Sequence, residues 1–132
     1  MALGALGSAY GVAIAGQAAI GAMLETDSGY GRFVGMAAIP SSNVIYGIVV
    51  MFTLQRGVTA ENGGALFGIG ILTGLALLYT GIWQGKALAA AIAASKNKPE
   101  IFGLSIAPAA IVEGFSVFVF VFALVLAGGI PG

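Results

Sequence analysis

The chain has no cysteine and no histidine, and charged residues make up only 8% of its 132 positions. The first absence excludes disulfides and Cys/His metal centres. The second removes the charged shell that a soluble domain of this size needs. No Gly-x-x-x-x-Gly-Lys-Ser/Thr phosphate loop occurs, so the chain offers no site for ATP hydrolysis, and no catalytic residue set is expected. No nucleic-acid partner and no covalent cofactor are expected either. A basic segment ahead of the first apolar run is lacking, as is a polar stretch behind it, so a cleaved signal peptide is not expected.

What is abundant is apolar surface, at 59% of residues. Four runs, about Leu3–Leu24, Arg32–Leu54, Gly63–Ala94 and Ile101–Gly129, each meet the roughly 20-residue length needed to cross the hydrocarbon core of a bilayer. The expected fold is all-α and integral to the membrane, with four transmembrane helices and no soluble domain. Arg32, Lys86, Lys96 and Lys98 fall on the side of the first and third connections, and Arg56 alone lies in the middle one. Residues 25–31 and 95–100 are therefore expected in the cytoplasm, with both termini outside. A prokaryotic cell membrane is the expected location.

The sequence repeats with an offset of 67 residues. Gln17 superposes on Gln84, Ser28 on Ser95, Ile39 on Ile106, Tyr46 on Glu113 and Gly47 on Gly114. A fixed offset marks tandem units, here a helical hairpin over residues 1–62 and a second over 63–132. The first and third runs are rich in glycine, whereas the second and fourth hold every phenylalanine except Phe67. Small residues at three- and four-residue spacing let helices approach closely in a membrane. Helices 1 and 3 are thus expected to form an inner wall and helices 2 and 4 an outer one, as in a ring of many copies.

Within the fourth run stands one acid, Glu113. An ionised group at that depth costs roughly 3 kcal/mol or more, and no cation in the sequence shares its level. Ile39, Ser42, Asn43 and Tyr46 follow i, i+3, i+4, i+7 spacing and share one helical face. Gln84, with Thr80 one turn away, and Ser116 near Glu113 add polar groups. Counted from the cytoplasmic helix ends, Asn43, Gln84 and Glu113 lie at nearly one depth. An oxygen-rich cluster around one carboxylate suits a hard cation. Pro40 cannot donate to the carbonyl of Met36 and leaves it available. For Ser42 or Thr80 taken alone, interhelical hydrogen bonding is the simpler reading.

These segments resemble the proteolipid (c or K) subunit of V-type rotary ATPases in its duplicated four-helix form. Ile39-Pro-Ser-Ser-Asn-Val-Ile-Tyr-Gly47 is similar to that family's Leu-Pro-Gly-Thr-Gln-x-x-Tyr-Gly. Gln84-Gly-Lys86, Lys98-Pro-Glu100 and Ile111-Val-Glu113 resemble its other motifs, in the same order. The resemblance to sodium-binding members implies Glu113 as the ion-carrying carboxylate, with Gln84, Ser42, Asn43 and the backbone carbonyl of Ile39 as Na+ ligands. It also implies a hydrogen bond from Tyr46 to Glu113. Asn43 is shorter than the family's glutamine, and Gly114 replaces the usual threonine. The implied partners are identical copies in a ring, a stator subunit of the a/I type with an essential arginine, central-stalk subunits at the cytoplasmic loops, and membrane lipid. Tyr46 in place of a first-hairpin acid implies one ion per two hairpins, which suits an ATP-driven pump. The alternatives are the same ring carrying H+ and, more distantly, a small multidrug exporter. Such exporters place their acid in the first helix, whereas here no acid precedes Glu25.

Overall fold

The computed structural model describes residues 1–131. Helix is the only regular structure among them, in four spans: α1 (Ala2–Leu24), α2 (Tyr30–Thr53), α3 (Gly63–Asn97) and α4 (Pro99–Gly128). Each is long and apolar enough to cross a membrane. This is an integral, multi-pass membrane protein.

The helix boundaries differ from the sequence expectation where proline and backbone capping decide them. α3 runs three residues past Ala94, because Ser95 Oγ bonds Ile92 O at 3.2 Å and Lys98 N closes on Ala94 O before Pro99. α2 starts at Tyr30, immediately after Gly29 takes a left-handed φ of 78° that turns the chain. It is also not uniform. Pro40 has no N–H to donate, and the backbone tightens to a 3₁₀ turn over Ile39–Ser41 before resuming at Ser42. α4 starts at Pro99 with a 3₁₀ turn, then a short helix Phe102–Ser105, and resets at Ile106 before Pro108. The expectation that Pro40 frees the Met36 carbonyl is corrected here: the Ile39 N–H bonds it.

α1 and α3 form the central seam. The buried positions of α1 are Gly4, Gly7, Ser8, Gly11, Ala15, Ala19 and Ala22, a stripe at three- and four-residue spacing. Two of its contacts require glycine on both sides. A Cβ on Gly11 would strike the Gly81 carbonyl, and one on Gly85 would lie 2.5 Å from Gly11 Cα. Such backbone proximity gives dispersion contact that larger residues would prevent. Toward the Glu25 end the seam widens into an apolar cluster of Ala15, Ala19, Phe33, Met36, Leu88, Ile92 and Ala109. Phe33 is fully buried there, so the phenylalanines of α2 and α4 do not all face outward.

Each end of the bundle is tied separately. Lys96 pairs with Glu25 at 2.5 Å, the one salt bridge among the described residues. At the opposite end Arg56 donates to Ile130 O at 2.8 Å, and Asn62 Nδ2 to Pro131 O at 3.3 Å. Between the ends the outer surface is apolar. Ile111, Phe115, Phe118, Phe122 and Val125 of α4 are all exposed, as a lipid-facing or subunit-facing wall requires.

Close packing at the seam is testable at Gly81, whose added Cβ would lie 2.5 Å from the Gly7 carbonyl carbon and 2.9 Å from Asn43 Nδ2. Gly81→Ala is expected to destabilise the fold by about 1–3 kcal/mol through overpacking. Gly16→Ala, which meets open space, should leave stability unchanged or slightly raised. Unfolding midpoints in detergent check both.

Candidate ion-binding site

Glu113 sits in α4 at the level where α2 and α3 converge. Asn43 lies 13 residues past Tyr30, Gln84 lies 13 before Asn97, and Glu113 lies 14 past Pro99. At about 1.5 Å per residue these positions share one depth.

Three side chains donate to the carboxylate. Tyr46 Oη reaches Oε1 at 2.6 Å, Ser42 Oγ reaches Oε2 at 2.9 Å, and Gln84 Nε2 reaches Oε2 at 2.7 Å. The first distance is in the range of a hydroxyl donating to an ionised carboxylate. The Tyr46 ring is held by stacking on Phe120, with centroids 5.2 Å apart. Among the described residues no cation shares the site: Lys86 is exposed, with its Nζ 4.3 Å from the centroid of the Trp83 ring.

The remaining predicted residues are placed as follows. Ile39 O accepts from the Ser42 backbone N–H and lies 3.4 Å from Ser42 Oγ. Its carbonyl is thus beside the hydroxyl that donates to Glu113 Oε2. Asn43 is fully buried but turns to α3, where Nδ2 donates to Leu77 O at 3.0 Å and Thr80 Oγ1 at 3.3 Å. It makes no hydrogen bond to Glu113. Two buried acceptors, Asn43 Oδ1 and Gln84 Oε1, have no hydrogen-bond partner among the protein atoms. Buried acceptors are normally satisfied, so each needs an explanation. Amide orientation follows from the partners: turning Gln84 over would set its oxygen against the Glu113 carboxylate.

Sequence reasoning missed Ser8. Its Oγ accepts the Val44 N–H at 2.9 Å, a donor left over where the α2 ladder is broken after Pro40. The available signal was a lone hydroxyl within the glycine stripe of α1. Ser116 and Thr80 are joined at 2.8 Å, a link that spacing alone does not reveal.

The C-subunit family of ATP synthases matches the chain twice, over residues 1–54 and 67–126. The A-type ATP synthase subunit K of Methanocaldococcus jannaschii is 34% identical over 123 residues, covering 90% of this chain and 56% of that protein. The V-type sodium ATPase subunit K of Enterococcus hirae is 30% identical over 125 residues, covering 92% of this chain and 80% of that one. The chain therefore spans little more than half the length of the first of these relatives.

Tyr46→Phe keeps the stack on Phe120 and removes the shortest bond to Glu113. That bond contributes about 0.5–1.5 kcal/mol net, or up to roughly 3 kcal/mol for a charged acceptor. The variant should fold normally, and a hydrophobic carbodiimide should label its Glu113 about tenfold faster, as 1.4 kcal/mol implies. A parental labelling rate would show that Tyr46 does not hold the carboxylate.

Proposed function

The chain belongs to the C-subunit family of ATP synthases, and on that premise we propose that it is the ion-carrying subunit of a membrane rotor ring in a V/A-type rotary ATPase. Glu113 carries the ion, and the ion is Na+. The observation behind this reading is a lone acid in an apolar span, held by donors from two other helices.

The charge balance favours a monovalent cargo. One carboxylate offers one negative charge, so one Na+ or one proton leaves the site neutral and able to face lipid without the desolvation cost of a bare charge. A proton needs only the carboxylate. Sodium needs several oxygens, and Glu113, Ser42, the Ile39 carbonyl and the unsatisfied amide oxygens of Gln84 and Asn43 offer them. Oxygens bound at about 2.4 Å and at right angles lie roughly 3.4 Å apart. The 3.4 Å separation of Ser42 Oγ from Ile39 O is of that size, and the 2.9 Å hydrogen bond from Ser42 Oγ to Glu113 Oε2 would open by about half an ångström around an ion. The Enterococcus hirae relative is named a sodium ATPase subunit, which supports the same choice.

The working cycle is the one that the family resemblance implies, and electrostatics accounts for its steps. Identical copies form the ring, with α1 and α3 inside and α2 and α4 outside. At a separate stator subunit, a fixed arginine competes with the ion for Glu113 and releases it into one half-channel. Tyr46, Ser42 and Gln84 then close around the ion taken from the other. The neutralised site returns through lipid. The connections at the Glu25 end face the cytoplasm and grip the central stalk, whose partner subunits hydrolyse ATP. The two-fold family match leaves the multidrug-exporter reading without support.

Glu113→Gln keeps shape but removes the charge, so rings should assemble and coupled transport should be lost; normal pumping by that variant refutes the proposal. The ion is tested separately. A carbodiimide attacks the protonated acid, so it should label Glu113 readily at low sodium. Millimolar sodium should suppress labelling and potassium should not, because the metal takes the ionised carboxylate. Lowering the pH should shift protection to higher sodium. Labelling indifferent to sodium at neutral pH means that the ring carries protons.

A further inference from the structure

Asn43 is the polar neighbour that the Glu113 carboxylate does not engage, and the groups around it explain its orientation. Its amide has two chemically opposite ends, and its partners decide where each faces. Nδ2 donates to Leu77 O and Thr80 Oγ1, while Oδ1 is buried and without a partner. Reversing the amide would set Oδ1 against the Leu77 carbonyl. Thr80 could rescue that state only by turning its proton away from its own helix. Its single hydroxyl proton goes to the carbonyls of its own helix, Ala76 O at 2.9 Å and Leu77 O at 3.3 Å.

Thr80 Oγ1 also accepts from Ser116 Oγ at 2.8 Å. It is therefore committed as an acceptor toward both Ser116 and Asn43. Ser116 is fully buried and stands three residues after Glu113, one helical turn along the same side of α4. A hydrogen-bond chain thus runs from the carboxylate-bearing helix through Thr80 of α3 to the amide of α2. The neighbouring Gly81 leaves the room this needs, since a Cβ there would lie 2.9 Å from Asn43 Nδ2.

We infer that Thr80, supported by Ser116, is a positioning residue that holds the Asn43 amide with its oxygen free as a sodium ligand, and so sets the preference of the Glu113 site for sodium over protons. This rests on the sodium reading above. Proton binding at Glu113 uses no Asn43 oxygen, so loss of the Thr80 hydroxyl weakens sodium binding alone. A role in packing would affect both ions.

The test uses the assembled membrane protein and carbodiimide labelling of Glu113. For Thr80→Val, the sodium concentration giving half protection should rise about 10- to 100-fold, the usual effect of removing a group that orients a ligand. Its pH profile of labelling in sodium-free buffer should match the parent. Thr80→Ser, which keeps the hydroxyl, should restore sodium protection to within about threefold. Ser116→Ala should shift protection in the same direction by a smaller factor. It decides alone if Thr80→Val does not assemble. Parental sodium protection in the assembled variants overturns the inference, as does equal loss in Thr80→Ser and Thr80→Val or a displaced sodium-free pH profile. A parent protein that sodium does not protect brings down the sodium reading itself, and this inference with it.

Discussion

A carboxylate inside an apolar span is the constraint on which the arrangement depends. Glu113 has no cationic side chain beside it, so its stability at that depth comes from donors brought in by other helices. Those donors arrive only if three helices converge at one level. The break at Ile39–Ser41 reshapes α2 beside Ser42, and the Tyr46 hydroxyl completes the approach from one turn further along. α3 brings Gln84, and its depth beside α2 is fixed by the glycine seam with α1. A residue with a side chain at Gly81 or Gly85 would push α3 away from α1, with Gln84 and Thr80 moving too. Small residues far from the charge thereby position the groups that satisfy it.

The four spans and the 67-residue repeat were legible in the sequence, because they rest on span length and a fixed offset. The isolation of Glu113 and Gln84 marked them as a polar cluster, and a bond from Tyr46 to Glu113 came from the family resemblance alone. The least legible features depend on local competition for hydrogen bonds. Spacing places Asn43 on the face shared by Ser42 and Tyr46, yet its side chain turns to the Leu77 carbonyl, an acceptor on another helix that no periodicity encodes. Ser8 finds the Val44 N–H only because α2 tightens after Pro40. The same tightening gives the Met36 carbonyl an N–H from Ile39, so the rule that proline frees the carbonyl four residues back holds only where the helix continues unchanged. Helix ends moved by two or three residues for similar reasons, as at Ser95 and Pro99.

The repeat is informative where it fails. Both second helices of the hairpins break at matching places, the 3₁₀ turn at Ile39–Ser41 and the reset at Ile106, although their prolines are offset by one residue relative to the 67-residue register. That interruption is common to the two halves. The polar groups around it are not. Ser42 and Asn43 correspond to Ala109 and Ala110, and Gln84, fully buried, corresponds to an exposed Gln17. Tyr46 occupies the register of Glu113, and its hydroxyl donates to that same acid at 2.6 Å. The first hairpin therefore offers a donor where the second carries the acid. Two acids this close would repel each other and would need two counter-charges in an apolar setting. A phenol in one of the two positions removes the repulsion and supplies a hydrogen bond, leaving one neutralisable charge for each pair of hairpins.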